Sequence, residues 1–246
     1  MFPRVVLKHF LFPLILSTLA VSNSVHADEK PKSGHAKKRV VGILVYPEVE
    51  ALDFCGPYEV FSLAHTHDAP PASGKSEAMG PMNFLFDVRI VAASTQPVTV
   101  RGGMKVVPTE SFDSCPQVDI LVIPGGGKAG VVNDAALLAW VSKQAKKAEL
   151  VTSVCTGSFI LAEAGLLDGK SSATHQMAVK KMRAKYPKVT VIAGKRVVED
   201  GNIVTAAGVS SGLDMSLQVV GKLHGDDVAG MVAEIIEYHP STAAKK

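Results

Sequence analysis

One of the three cysteines, Cys155, stands between the apolar run Leu150-Val151-Thr152-Ser153-Val154 and the pair Thr156-Gly157. This pattern reads as a buried strand that turns directly into a helix, a nucleophile elbow with Cys in place of Ser. A thiol in that position meets unpaired amides and the positive end of the helix dipole, both of which favour thiolate. The alternative is a small hydrophobe at a strand end. A second apolar run over 120–123 leads into Pro124-Gly125-Gly126-Gly127. Ligands in open α/β sheets bind beyond the carboxyl ends of strands, so this turn and Cys155 are expected to share a crevice. There the amides of Gly126 and Thr156, with Gly127 in the same turn, would donate to a developing negative charge. The run is neither a dinucleotide fingerprint nor a Walker loop.

Two further residues complete the chemical inventory. Asp53, in Leu52-Asp53-Phe54-Cys55-Gly56-Pro57, follows the first apolar run. It serves either as an acid or base, or as the cap of a helix starting near Gly56-Pro57. His175 lies twenty residues beyond Cys155, and a histidine brought to a cysteine by the fold is the usual way to activate a thiol. His65-Thr66-His67 reads as solvated surface, and no metal site is expected.

Positioning these groups requires strands that alternate with helices, and the chain has that pattern. Strands are expected over 40–46, 86–93, 120–123, 150–154, 189–192, 196–199 and 203–206, with a hairpin around Arg101-Gly102-Gly103. Helices are expected over 58–65, from the cap Asp134 to 147, over 156–164, 175–186, 211–224 and 226–238. The segment 66–82 lacks periodicity and reads as a long exposed loop, either a lid or an insertion. Near-continuous apolar strands between helices imply a single-domain, flavodoxin-like α/β sandwich with a mainly parallel sheet covered on both faces.

Residues 1–27 differ from the rest: Arg4 and Lys8 precede an apolar run from position 10 to 20 and a small-residue site at Val25-His26-Ala27. This is the layout of a secretory signal peptide, too short to span a bilayer, so export to a periplasm-like compartment is expected. An uncleaved membrane tether is the alternative. The expected organisation is a signal peptide (1–27), a linker (28–38), one domain (39–240) and a tail (241–246). Losing the signal lowers the net charge from +3 by the two cations it carries, which leaves a near-neutral domain with no call for nucleic acid. An odd number of cysteines implies at least one free thiol, with a bridge between Cys55 and Cys115 open as an option.

Together these residues resemble the DJ-1/PfpI superfamily, itself related to class I glutamine amidotransferase domains. The resemblance spans about residues 40–224 and adds Glu59-Val60-Phe61, Ala164-Gly165-Leu166-Leu167-Asp168-Gly169, Ala173-Thr174-His175 and Gly208-Val209-Ser210-Ser211-Gly212-Leu213-Asp214 to the segments above. The combination of Leu-Asp-x-x-Gly-Pro with Val-Cys-Thr-Gly is similar to the isonitrile hydratase branch and to the ligand-binding halves of AraC-type regulators. It implies a small-molecule substrate, Cys155 attacking the terminal carbon of an isonitrile, and Asp53 supplying a proton and then assisting water. It also implies Gly126 and Thr156 orienting the adduct, His175 as a secondary contact, no metal or organic cofactor, and a homodimer. Asp53 stands where members with deglycase, glyoxalase or protease activity carry Glu, and Thr156 where the proteases carry His. The signal segment and Gln176 depart from a typical hydratase. A thiol sensor, a small-molecule binder and a glyoxalase are the competing readings.

Overall fold

A computed structural model describes residues 38–67, 81–127 and 133–240. The expected signal peptide, nearly all of the linker, the tail and residues 68–80 of the expected loop lie outside the described residues. Within them the chain runs β1 (Arg39–Leu44), α1 (Ala51–Leu63), β2 (His65–His67), β3 (Met82–Phe84) and β4 (Phe86–Ala92). It continues through β5 (Val98–Thr99), β6 (Lys105–Val106), β7 (Glu110–Ser111), β8 (Ile120–Ile123), α2 (Ala135–Ala145), β9 (Leu150–Val154) and α3 (Gly157–Glu163). It closes with β10 (Ser171–Ser172), α4 (Val179–Lys185), β11 (Thr190–Val191), β12 (Val197–Asp200), β13 (Ile203–Ala206), α5 (Ser211–His224) and α6 (Asp226–Ile235).

Seven of the strands form one sheet in the order β12-β13-β9-β8-β1-β4-β7. Only β12 and β13 pair antiparallel in it; the other neighbours are parallel. Strands β8, β9 and β13 are buried along their whole length, as expected for apolar runs covered on both faces. Helices α1, α5 and α6 pack as one layer, while α3 lies against β8 and β9 with α2 beside it. The parallel strands β1, β8 and β9 therefore end at one edge, where their carboxyl-terminal turns gather the residues singled out above.

Three expectations need correction. Helix α1 starts at Ala51, not near residue 58, so Gly56-Pro57 lies inside it and Asp53 belongs to its first turn instead of capping it. Proline is commonest at a helix start, but here the loss of its amide is tolerated because Gly56 and Pro57 are buried against α5. A Cβ at Gly56 would come within 3.3 Å of Leu213 on α5, and one at Gly212 would come within 3.1 Å of Val154 and into ordinary contact with Pro57 at 3.6 Å. The expected loop over 66–82 begins and ends as paired structure, because β2 and β3 are antiparallel partners. The expected helix from His175 is a 3-10 turn (Gln176–Ala178) followed by α4. All three cysteines are free, so the optional bridge between Cys55 and Cys115 is not formed: Cys55 lies on α1 and Cys115 in the turn after β7.

Candidate active site

Cys155 has φ 59°, a left-handed conformation that costs a non-glycine residue about 1–3 kcal/mol and lets β9 turn sharply into α3. Backbone bonds hold this elbow from both sides. The Cys155 amide donates to the carbonyls of Ala206 (3.1 Å) and Ala207 (2.7 Å). The Cys155 carbonyl lies 3.2 Å from the hydroxyls of both Ser158 and Thr174. Gly157 has to be glycine, since a Cβ there would sit 2.0 Å from the carbonyl oxygen of Ile123.

Asp53 approaches from the first turn of α1 and is fully buried. Its Oδ2 accepts the Gly125 amide at 2.9 Å, while Oδ1 has no well-aligned donor among the described residues. Close approach demands glycine at 125: a Cβ would lie 2.5 Å from the Thr156 nitrogen and 2.9 Å from Asp53 Oδ2. Burial pushes the Asp53 carboxyl up to about 7, partly opposed by the Gly125 amide and the Cys155 thiol, with Glu50 adding a smaller upward push. Cys155 is 7% exposed, and burial, followed by the Asp53 charge, raises its thiol to about 11. Hydrogen bonds from the Thr156 amide, the Val209 amide and the Thr156 hydroxyl stabilise the thiolate but are outweighed. The helix terminus and its amides favour thiolate as expected, but burial outweighs them, because removal from water exceeds what the short α3 terminus supplies. Between about pH 7 and 11 the pair holds one proton, chiefly on the thiol, and below 7 the carboxyl takes up a second.

The glycine turn also acts differently from expectation. The Gly126 amide donates to Thr156 Oγ1 (3.0 Å) and the Gly127 amide to the Glu48 carbonyl (2.6 Å). These amides are engaged within the chain, so Gly125 and Gly126 hold Asp53 and Thr156 in place and do not stand open for an oxyanion. The Thr156 hydroxyl relays from the Gly126 amide to the Cys155 sulfur. His175 caps the 3-10 turn by accepting the Met177 amide on Nδ1 at 3.3 Å, and it is not among the groups acting on the Cys155 thiol. Its neighbour Thr174 is the residue that reaches the elbow.

Two contributors escaped the sequence reading. Val209 donates its amide to the sulfur from a strained backbone (φ 21°). Tyr46, buried at the end of β1, donates its hydroxyl to the Pro124 carbonyl at 2.8 Å. Burial and the nearby Asp53 and Cys155 charges push its phenol well above the usual range. A tyrosine between an apolar strand and Pro47 was the available signal. Among the described residues no three His, Cys, Asp or Glu side chains converge on a metal position, and no helix is long and apolar enough to cross a membrane.

This geometry has relatives. Isonitrile hydratase of Pseudomonas putida is 36% identical over 203 residues, which cover 82% of this chain and 79% of that protein. The HTH-type transcriptional regulator GbdR of Pseudomonas aeruginosa is 29% identical over 156 residues, only 42% of its length. A THiJ/PfpI family protein from Pseudomonas syringae has a crystal structure that superposes with a TM-score of 0.70 at 30% identity, covering 89% of this chain and 85% of that one. Drosophila melanogaster DJ-1beta shares the fold at TM-score 0.66 and 18% identity. With the DJ-1/PfpI family model matched over residues 38–222, the chain belongs to the DJ-1/PfpI family.

Proposed function

We propose that this protein hydrates isonitriles to N-substituted formamides, with Cys155 as nucleophile and Asp53 as proton carrier. The observation that carries the reading is the buried Asp53 carboxyl set beside the Cys155 thiol at the strained strand-to-helix elbow. Addition to an isonitrile puts both the sulfur and a proton on the same carbon, which a single adjacent acid–thiol pair is suited to supply. As sulfur attacks R–N≡C, its proton passes to the Asp53 carboxylate and then to the carbon, giving R–N=CH–S–Cys155. Asp53 next takes a proton from water as the hydroxyl adds to that carbon, and the nitrogen is protonated. The resulting R–NH–CH(OH)–S–Cys155 collapses to R–NH–CHO as the C–S bond breaks and the thiol regains its proton. The kinship with isonitrile hydratase supports the same choice. Sensing by thiol oxidation needs an accessible thiolate, and a buried thiol with a raised pKa counts against it.

The test is incubation with alkyl and aryl isonitriles in 18O-water, with mass detection of labelled formamide. Cys155→Ala is expected to abolish turnover, a fall of at least about 10⁴-fold. Turnover that persists in both Cys155→Ala and Asp53→Asn overturns the mechanism, and lactate formed from methylglyoxal in place of formamide transfers the site to glyoxalase chemistry. Export is part of the proposal: the mature amino terminus is expected at Asp28, read by terminal sequencing of secreted protein. A homodimer is expected in sedimentation.

A further inference from the structure

The short stretch 207–210 joins β13 to α5 and carries the Val209 amide to the Cys155 sulfur. Val209 holds φ 21° there, a conformation that a non-glycine residue keeps only when its surroundings over-determine it. Arg196, immediately before β12, holds both ends of this stretch. Its carbonyl accepts the Ala207 amide at 2.8 Å, one step beyond the β12–β13 ladder that places Val197 opposite Ala206. Its guanidinium reaches the other end, donating from Nε to Asp214 Oδ2 at 2.5 Å and from Nη2 to the Ser210 hydroxyl at 3.3 Å. Ser210 is the amino-terminal cap residue of α5, a place where serine ordinarily accepts an amide of the first turn. Here its hydroxyl makes no such bond and meets Arg196 instead. The planar fork of arginine serves two acceptors in fixed directions, which the point charge of a lysine does not. The Arg196 charge is not among the groups acting on the thiol, so its influence runs through the backbone it holds.

We propose that Arg196 is a positioning residue for Cys155: by gripping the stretch 207–210 at both ends, it holds the Val209 amide on the sulfur. That amide favours the charged sulfur over the neutral thiol. The grip therefore serves the attack on substrate, and this kinetic consequence rests on the hydration reading above.

Alkylation of the full chain by iodoacetamide at about pH 8.5, followed at Cys155 by peptide mass spectrometry with Cys55 as internal reference, tests the grip without any isonitrile. Arg196→Lys keeps a cation beside Asp214 and gives up the reach to Ser210, while Ser210→Ala removes the same contact from the other side. Each is expected to slow Cys155 by about threefold, the net of a roughly tenfold smaller thiolate fraction and the greater nucleophilicity of a more basic sulfur. Combined, they are expected to do no more than either alone. Ser210 is exposed, so Ser210→Ala decides the matter if Arg196→Lys fails to fold. Tyr238→Phe takes a hydroxyl from the same guanidinium and from Asp214 but leaves Ser210 in place. It is expected to lower stability and leave the Cys155 rate unchanged. In isonitrile turnover, Arg196→Lys and Ser210→Ala are expected to lose about tenfold in kcat with KM held within about twofold. An unchanged or faster Cys155 in the folded variants, or an equal slowing in Tyr238→Phe, overturns the proposal. Slowed alkylation in a protein whose parent turns over no isonitrile upholds the grip and removes the hydration reading.

Discussion

Asp53 and Asp214 are both buried carboxylates in the first turn of a helix, and those two helices, α1 and α5, pack against each other. Their surroundings divide their roles. Asp214 is served on both oxygens: Arg196 Nε donates to Oδ2 at 2.5 Å and the Tyr238 hydroxyl to Oδ1 at 3.1 Å. Asp53 has one amide and a thiol, and among the described residues no cation is found acting on it. A carboxylate bonded to a guanidinium and a phenol is suited to fixing structure, whereas one left against a thiol in a dry site is suited to the proton-carrying role proposed for it. Arg196 extends the structural role toward the elbow, because it also reaches Ser210 and its carbonyl accepts the Ala207 amide, next to the bond that holds Cys155.

The sharpest way to break this contrast is to neutralise each aspartate in turn. Asp53→Asn is expected to lower kcat by about 10²–10⁴-fold in the formamide assay, the loss of one general acid–base. It is expected to raise stability at the same time. The folded carboxyl titrates near 7 and the unfolded one near 3.8, so its contribution to stability is full below about pH 4 and lost as pH rises through 7. Denaturant unfolding at pH 8 is expected to find Asp53→Asn more stable than the parent by on the order of 2–4 kcal/mol, with a flatter pH dependence between 4 and 7. An unchanged kcat would erase the distinction.

In the proposed reaction the same pair is expected to set the pH profile. The singly protonated state exists between about 7 and 11, so kcat/KM is expected to fall about tenfold per unit below pH 7 and to decline again near 11. An activity that rises on acidification would sink the shared-proton description. Asp214→Asn is expected to behave oppositely to Asp53→Asn: a loss of about 2 kcal/mol in chemical denaturation, reduced from a fully buried pair because Arg196 is partly exposed, with only a modest fall in kcat. Smallest is Thr156→Val, which removes the relay between the Gly126 amide and the sulfur. It is expected to cost about tenfold in kcat/KM while the fold is retained.

Much of the architecture was legible because local pattern and burial agree where strands are covered on both faces. Runs 120–123, 150–154 and 203–206 match β8, β9 and β13, and α5 matches its expected bounds. Asp134 caps α2 as its type suggests, bonding the amides of Ala136 and Leu137. Two-residue strands such as β7 and β10 escaped, since their pairing is set by distant partners and not by their own sequence. Gly56-Pro57 misled because tertiary packing on α5 overrode the usual effect of proline. Within the candidate site, the gathering of Cys155, Asp53 and Thr156 at one sheet edge was readable from residue type and position. The resting state of the thiol was not, because it depends on how much water the folded chain excludes. Nor was the occupation of the glycine amides, which is a matter of backbone partners many residues away.

The two residues that meet through the sulfur, Cys155 and Val209, are both strained non-glycine positions, and they belong to segments far apart along the chain. Neither can relax alone: the Cys155 amide is forked onto Ala206 and Ala207, immediately before the stretch that presents Val209. As related chains diverge, positions 155 and 209 are therefore expected to drift together or to stand still, and an alignment of descendants would record that joint constraint as covariation.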